Sequence, residues 1–248
     1  MADSAATSSA KSSPAGNPVL TVQNLEAWYG ESHILHGIDF NVRAGEVVTL
    51  LGRNGAGKTT TLKSVMGIIG KRTGSIQFDG KDISCAPSDK IARLGIAFCP
   101  EERGIFASLD VRENLLLPPT IRSGGLSLEQ TFQLFPNLKE RLNSQGTKLS
   151  GGEQQMLAIA RILRTGARFL MLDEPTEGLA PVIIQQIGHT IARLKSEGFT
   201  ILLVEQNFRF AATVADRYYI VEHGKIIDGF ANSDLQANMD KLHTYLGV

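Results

Sequence analysis

The chain has 248 residues, enough for one large domain or two small ones with a core that needs no disulfides. Its 25 basic and 25 acidic residues cancel, so it lacks the basic excess typical of nucleic-acid-binding proteins, and no nucleic-acid partner is expected. It has only 2 cysteines, too few for a disulfide framework, and no apolar stretch of about 18 residues that would predict a membrane span.

The N-terminal segment 1–18 is small and polar, and its composition predicts a disordered tail before a folded domain at 19–248. It has no apolar segment of the kind that a secretory signal needs. After it, VLTVQNLEAWYG and HILHGIDFNVRAGE each read as a strand, and Asp79-Gly80 within SIQFDGKDI is a hairpin signal. We therefore expect an antiparallel β layer in the N-terminal part.

Several continuous apolar runs are typical of parallel strands buried on both faces. They are Val47–Leu51, Ile96–Cys99, Phe169–Leu172, Ile201–Val204 and Tyr218–Val221. Pro181 opens a helical pattern that ends at Gly198. No strand pattern occurs between Asp110 and Gln145, where SLEQTFQLF has helical spacing. We expect an α/β core with a helical subdomain inserted at about 105–160.

The first of these runs leads into a glycine-rich loop that matches G-x-x-x-x-G-K-[ST] and then into a helix. Inward-pointing backbone N–H groups and the positive helix N-terminus predict a phosphate site. Lys58 is expected to reach the β- and γ-phosphates of a nucleotide, and the Thr59 hydroxyl to bind Mg²⁺. The other residues expected to contact the nucleotide here are Gly52, Arg53, Asn54, Gly55, Ala56, Gly57 and Thr60.

Two acidic residues, Asp173 and Glu174, end the strand pattern FLML. A lone pair of acids would usually open a surface turn, but after a buried strand in a chain with a phosphate loop it predicts a nucleotide-hydrolysis site. Asp173 is expected to hold Mg²⁺, directly or through water. Glu174 is expected to act as the general base that polarises an attacking water.

The segment KLSGGEQQMLAIARIL predicts an amphipathic helix with Ser150 as N-cap and Glu153 completing a capping box. A well-capped helix explains the whole segment except Gly151 and Gly152, which expose backbone N–H groups to an anion. Because the phosphate loop already holds one nucleotide, a second anion site suggests a second nucleotide held across a dimer.

The motifs LSGGEQQ, GRNGAGKTT and LMLDEPTEGL together resemble the ATP-binding cassette ATPases, in the family's order and from about Val19 to the C-terminus. The resemblance implies a P-loop NTPase (RecA-like) core, ATP and Mg²⁺ as ligands, and head-to-tail pairing of two cassettes. Each ATP then lies between one phosphate loop and the other subunit's Ser150–Glu153 segment. Tyr29 matches the aromatic that stacks on adenine. Glu177–Ala180 matches the loop that crosses between the sites.

Two positions depart from the residues usual in that family. Gln206 stands where most cassettes have a histidine that touches the γ-phosphate, and it joins Glu174 and Lys58 as a catalytic candidate. Glu101, a candidate metal ligand, stands where most have a glutamine bonded to Mg²⁺ and the attacking water. With YGESHILHGI, PEERGIF, ENLLL and LFPNLKERL, these departures narrow the resemblance to LivF-like ATPases of branched-chain amino acid importers.

The narrower resemblance implies a set of partners and a location. The partners are a LivG-like sister ATPase in a heterodimer, two membrane permease subunits that meet the loop after Pro100, and, indirectly, a periplasmic substrate-binding protein. The location is the cytoplasmic face of the inner membrane. Importers of urea, short amides or aromatic acids use similar ATPases, and the two departures leave open a slow site that mainly binds nucleotide. A cassette of DNA repair or translation is disfavoured, because the chain has no coiled-coil heptads and no second cassette.

Overall fold

A computed structural model describes residues 17–247, which form two sheets surrounded by helices. The strands are β1 (Pro18–Tyr29), β2 (Ser32–Arg43), β3 (Val47–Leu51), β4 (Lys71–Phe78), β5 (Lys81–Asp82), β6 (Ile96–Cys99), β7 (Phe169–Asp173), β8 (Thr200–Glu205), β9 (Arg217–Glu222) and β10 (Lys225–Ala231). The α-helices are α1 (Lys58–Val65), α2 (Ser88–Arg93), α3 (Val111–Leu116), α4 (Leu128–Leu134), α5 (Pro136–Glu140), α6 (Gly151–Leu163), α7 (Pro181–Ser196), α8 (Phe208–Val214) and α9 (Met239–Leu246). Short 3-10 turns cover Gly146–Lys148, Asn232–Asp234 and Gln236–Asn238.

The two sheets confirm the predicted α/β core with an antiparallel layer. The layer has the order β2-β1-β4-β5, with antiparallel neighbours. The larger sheet has the order β10-β9-β3-β8-β7-β6, and its strands from β9 to β6 are parallel. These parallel strands are the continuous apolar runs of the sequence. Their carboxyl ends therefore meet at one edge of the sheet, where ligands bind in such folds.

Strand β8 illustrates why these runs are apolar throughout. Leu202 and Val204 belong to the core between the two sheets, whereas Ile201 and Leu203 belong to the core under α6 and α7. Successive side chains of a strand point to opposite faces, and here both faces are buried. Strand β10 was not predicted, because it pairs only with β9 at the sheet edge and its residues alternate between exposed and half-buried.

The region between β6 and β7 contains α3, α4 and α5 before α6, in agreement with the helical character expected there. The exact limits of the subdomain, about 105–160, stay a prediction. Residues 1–16 of the predicted tail lie outside the described part of the chain, and β1 begins at Pro18, one residue before the expected start. No helix within residues 17–247 combines the length and apolar character needed to cross a membrane.

Candidate functional site

The phosphate loop connects β3 to α1 and encloses the Lys58 side chain. Gly57 precedes the helix with φ 106°, a conformation that favours glycine, and a Cβ there would lie 2.8 Å from Leu35. The Lys58 ammonium donates to the carbonyl oxygens of Gly52 at 2.8 Å and Arg53 at 3.1 Å, and the side chain is 3% exposed. The loop therefore encloses a buried positive charge, and its contact with phosphates stays a prediction.

An ion pair joins this lysine to the end of β7. The Nζ of Lys58 lies 3.0 Å from Oε1 of Glu174. Glu174 has a positive φ of 44°, and its backbone N–H donates to the Val204 oxygen at 3.0 Å. A non-glycine residue in the left-handed region carries strain, which the hydrogen bond to β8 helps to hold. Two of the predicted catalytic residues, Lys58 and Glu174, therefore contact each other, and their catalytic roles stay predictions.

Asp173 and Thr59 form the second contact between β7 and α1. The Thr59 hydroxyl donates to Oδ1 of Asp173 at 3.0 Å. Oδ2 of Asp173 is buried, with no hydrogen-bond partner among the described residues. Burial is the main reason that the pKa of Asp173 rises to about 6; the charges of Glu174 and Glu101 add to this rise, while the bond from Thr59 opposes it.

These oxygens fit Mg²⁺, which prefers carboxylate and hydroxyl oxygen ligands and keeps several waters. A cation would satisfy the unpartnered Oδ2 and offset the burial of the Asp173 carboxylate. Within residues 17–247 no group of three or more His, Cys, Asp or Glu is arranged to hold a metal. Besides the oxygens of protein side chains such as Asp173 and Thr59, the ion would therefore need water and the bound phosphates as ligands.

An open cleft of about 280 Å³ lies over these groups. It is lined by Asn54, Gly55, Gly57, Lys58, Thr59, Glu101, Glu174 and Glu177. The sequence placed Glu177 only in the loop expected to cross between the sites, not among the residues of this cleft. Burial, as the largest cause, and then the charges of Glu174 and Glu101 raise the pKa of Glu177. Its position three residues after Glu174 in EPTEGL is the signal that could have identified it.

Tyr29 and Gln206 do not line this cleft. Tyr29 is the last residue of β1, and it is 49% exposed. Gln206 follows β8 directly and is exposed, while Asn207 caps α8 by accepting from Phe210 N at 3.1 Å. Both predicted nucleotide contacts are accessible, but each stays a prediction.

The helix α6 begins as predicted. The Glu153 N–H donates to the Ser150 hydroxyl at 3.3 Å, and the Ser150 N–H donates to the Glu153 carboxylate at 2.7 Å. A Cβ on Gly152 would lie 2.9 Å from Ile183 of α7, so this glycine also permits close packing of two helices. None of Ser150, Gly151, Gly152 or Glu153 lines the cleft around Lys58. In one chain, the two predicted anion sites are therefore separate.

Comparison with known proteins identifies the family. Residues 35–177 match the ABC transporter family. The chain belongs to that family. It is an ATP-binding cassette, and the activity of this domain is ATP hydrolysis coupled to transport.

The cassette has several curated relatives. It is 41% identical to the high-affinity branched-chain amino acid transport ATP-binding protein BraG of Pseudomonas aeruginosa, over 92% of this chain and 100% of BraG. It is 36% identical to the lipopolysaccharide export system ATP-binding protein LptB of Escherichia coli, over 92% of this chain and 97% of LptB. It is 35% identical to a branched-chain amino acid transport ATP-binding protein LivF of Archaeoglobus fulgidus, over 88% of this chain and 94% of that protein.

A solved structure supports the fold of the cassette. The chain superposes with a TM-score of 0.80 and 23% identity on a nucleotide-free ATP-binding cassette from an ABC transporter, covering 94% of this chain and 99% of the other. The α/β architecture and its antiparallel layer are therefore those of known cassettes.

The cassette also contains contacts between the loop after Pro100 and α6 that sequence reasoning missed. Arg103 donates to Oε1 of Gln154 at 2.8 Å, and the Arg161 guanidinium lies 5.0 Å from the centre of the Phe106 ring. Arg161 also donates to the Gly104 carbonyl oxygen. Neither arginine belongs to a recognisable local motif, because its partners are distant in sequence.

Proposed function

We propose that this chain is the ATP-hydrolysing subunit of an ABC importer for branched-chain amino acids. The convergence of Lys58, Glu174 and the Asp173–Thr59 pair at one sheet edge supports hydrolysis at this site. The identity with BraG over its entire length supports the substrate class. The nearly equal coverage of LptB makes a lipopolysaccharide exporter the alternative that an experiment must separate.

In the proposed mechanism, Lys58 exchanges its ion pair with Glu174 for one with the phosphates of the nucleotide. On nucleotide binding, Lys58 turns from the Glu174 carboxylate to the β- and γ-phosphates, so that Glu174 becomes free to accept a proton from water. Gln206 donates an amide hydrogen bond to a γ-phosphate oxygen. Tyr29 stacks on adenine. The remaining phosphate contacts come from Gly52–Thr60.

Mg²⁺, when bound, neutralises charge that develops on the phosphates. Asp173 and Thr59 would hold it, and Glu101, which lines the same cleft as Thr59, would be a third ligand. The unpartnered Oδ2 of Asp173 supports this assignment.

A partner subunit completes the site in this proposal. Ser150–Glu153 would contact the nucleotide of a LivG-like sister ATPase in a head-to-tail heterodimer, since these residues lie away from the cleft of their own chain. The exposed apolar side chains of Phe106, Leu116 and Leu117, each 47–50% exposed, offer a surface for the two membrane permease subunits. The chain would act at the cytoplasmic face of the inner membrane, and a periplasmic binding protein would deliver the substrate.

The test is ATP turnover by the assembled transporter in proteoliposomes with purified periplasmic binding proteins. A binding protein loaded with leucine, isoleucine or valine should stimulate turnover and drive uptake of the labelled amino acid. Stimulation only by a binding protein for urea, a short amide or an aromatic acid would reassign the substrate. Assembly with lipopolysaccharide export components, without response to any amino acid, would contradict the importer.

A second candidate function is a slow, mainly nucleotide-binding cassette. The observation that favours it is the pair of departures: Gln206 lacks the charge of a histidine, and Glu101 adds a carboxylate to a cleft already lined by Glu174 and Glu177. Such a site would bind ATP in the heterodimer and leave most of the turnover to the partner's site.

A further inference from the structure

Glu205 is a buried carboxyl beside the hydrolysis site with no assigned role so far. It is the last residue of β8, it is 2% exposed, and it pairs in register with Leu51 of β3. On the other side, Val204 pairs with Asp173 of β7 and accepts from the Glu174 N–H at 3.0 Å. The carboxyl of Glu205 therefore stands at the sheet edge that carries the proposed base.

Both oxygens of this carboxyl are used. The Thr176 hydroxyl donates to Oε1 of Glu205 at 2.8 Å, and the Asn207 N–H donates to Oε2 at 3.3 Å. Thr176 follows Glu174 by two residues and is itself 4% exposed. Asn207 follows Gln206 directly. A single side chain thus bridges the segment that carries the proposed base and the turn that carries the proposed γ-phosphate contact.

The burial of this group is costly. A carboxyl removed from water loses favourable hydration that two hydrogen bonds only partly replace. Burial, as the largest cause, raises the pKa of Glu205 to about 7. The preceding residues Ile201–Val204 are apolar, and an apolar residue at the strand end would avoid this cost. A role that needs two acceptor oxygens at this point explains the carboxyl better than packing does.

We propose that Glu205 is a positioning residue that locks the Glu174–Thr176 segment to the Gln206–Asn207 turn. This inference rests on the proposed roles of Glu174 and Gln206. The bridge fixes the separation between a proton acceptor and a phosphate contact, and hydrolysis depends on such geometry more strongly than nucleotide binding does. Loss of the bridge should therefore lower kcat and leave the KM for ATP nearly unchanged.

The decisive variant is Thr176→Val, which keeps the volume of the side chain and removes the hydroxyl. The readout is ATP turnover by the full-length chain purified with its partner subunits. We expect kcat to fall roughly 10–100-fold, with the KM for ATP and the affinity for a fluorescent ATP analogue within about twofold of the parent. Thr176→Ser, which keeps a hydroxyl, should recover most of the lost rate.

The matched control is Thr190→Val. Thr190 is also buried, at 6% exposure, and its hydroxyl donates to the Gln186 carbonyl within α7 at 2.9 Å. Thr190→Val also removes a buried threonine hydroxyl and should cost a similar amount of folding stability. This hydroxyl does not contact Glu205, so ATP turnover should not change. A thermal melt of each variant separates loss of folded protein from loss of rate.

The bridge also predicts how two substitutions combine. Glu205→Ala should lower kcat about as much as Thr176→Val, and the double variant should be no slower than the slower single variant, because both remove the same contact. Three results would each overturn the proposal. They are a double variant whose fall in kcat is the product of the two single falls, an unchanged kcat in Thr176→Val, and a raised KM with kcat unchanged. Unfolding of Thr176→Val while Thr190→Val stays folded would show a structural bond and also overturn it.

A failure of the proposed function would look different. Glu174→Gln in the same preparation should abolish turnover. If it does not, the assignment of the base is wrong, whatever Thr176→Val does. If it does and Thr176→Val turns over normally, only the positioning role of Glu205 fails.

Discussion

At the scale of single residues, an ion pair joins Lys58 and Glu174 at the cleft. Lys58 and Glu174 are 3.0 Å apart and both are largely shielded from water, so neither can change partner without affecting the other. If Lys58 binds the phosphates as proposed, the nucleotide must compete with the Glu174 carboxylate for this lysine. The affinity for ATP would then depend on the same carboxylate that is proposed as the base.

The substitution Glu174→Gln tests both consequences. The amide cannot accept a proton from water, so ATP turnover should fall by at least ~10²-fold. The amide also cannot form an ion pair with Lys58, so the variant should bind ATP more tightly than the parent does. The bound ATP should then stabilise a dimer with the partner. Phosphate release, analogue binding and size-exclusion chromatography measure these effects. Glu177→Gln, at the rim, is the control and should lose far less rate; equal losses would argue against Glu174 as the base.

Gln206 gives a prediction in the opposite direction. It can donate a hydrogen bond to the γ-phosphate but cannot carry the positive charge that a histidine can. Removing one electrostatic donor from an active site typically costs ~10²–10³ in rate, so Gln206→His should raise turnover at this site at least a few-fold. The measurement uses the assembled transporter with the partner's base disabled. Equal or slower turnover would show that glutamine already serves the role.

The buried carboxyl of Glu205 predicts a pH dependence of stability. Its pKa rises from 4.5 to about 7, mainly through burial and also through the charge of Glu174, while bonds from Thr176 and Asn207 oppose the rise. The folded chain therefore holds this proton more tightly than the unfolded chain. Its contribution to the free energy of unfolding is fully present below pH 4.5 and is lost as pH rises to about 7.

Glu205→Gln removes this titration. Between pH 4.5 and pH 8 the variant should gain up to about 3 kcal/mol of unfolding free energy relative to the parent, at about 1.4 kcal/mol per pKa unit. Urea unfolding of the nucleotide-free chain at several pH values measures the difference. Glu140→Gln, on the exposed end of α5, is the control for loss of one carboxylate, and an equal gain there would argue against an effect of burial. A constant difference across the range would contradict a raised pKa at Glu205.

At the scale of elements, α6 connects two surfaces for which we propose functions. Its N-terminus presents Ser150–Glu153, and its body contacts the loop after Pro100 through Gln154 and Arg161. Because a helix moves as a stiff unit, a displacement of that loop would also displace Ser150. This arrangement suits an element between a membrane subunit and a partner's nucleotide.

Ser150→Arg tests the assignment of this helix end. The arginine removes the N-cap and adds bulk where the partner's phosphates would lie. The isolated chain should still bind nucleotide at its own cleft, because Ser150 does not line it. The assembled complex should lose hydrolysis at the partner's site by about 10²-fold or more. Loss of nucleotide binding by the isolated chain would argue against a site shared between subunits.

At the scale of the whole molecule, the helical region carries exposed apolar side chains. Leu116 is 50% exposed at the end of α3 and lies apart from the phosphate cleft. Leu116→Asp should leave basal ATP turnover of the isolated chain unchanged and weaken its assembly with the permease subunits several-fold, since it places a charge in an apolar contact. Co-purification measures assembly. Val182→Asp, 59% exposed at the start of α7, is the matched control; equal weakening by both would contradict a localised surface.

Local sequence patterns predict many elements of this fold. Apolar runs predicted the parallel strands, and the capping box predicted where α6 begins, because each depends on residues within a few positions of one another. The glycines and Lys58 of the phosphate loop, and the two acids after FLML, are equally local. Strand β10 escaped prediction because an edge strand with one half-buried face has no distinct apolar pattern.

The sequence by itself thus determined the fold class, the phosphate loop, the acidic pair and the capped helix. Only the tertiary structure decided which of these side chains meet: Lys58 with Glu174, Thr59 with Asp173 and Thr176 with Glu205. It also decided that Gly152 packs on Ile183 and that Asp173 and Glu205 hold raised pKa values. The physical reason is that strand order and burial bring together residues far apart in the chain, and the cost of removing charge from water exists only where they meet.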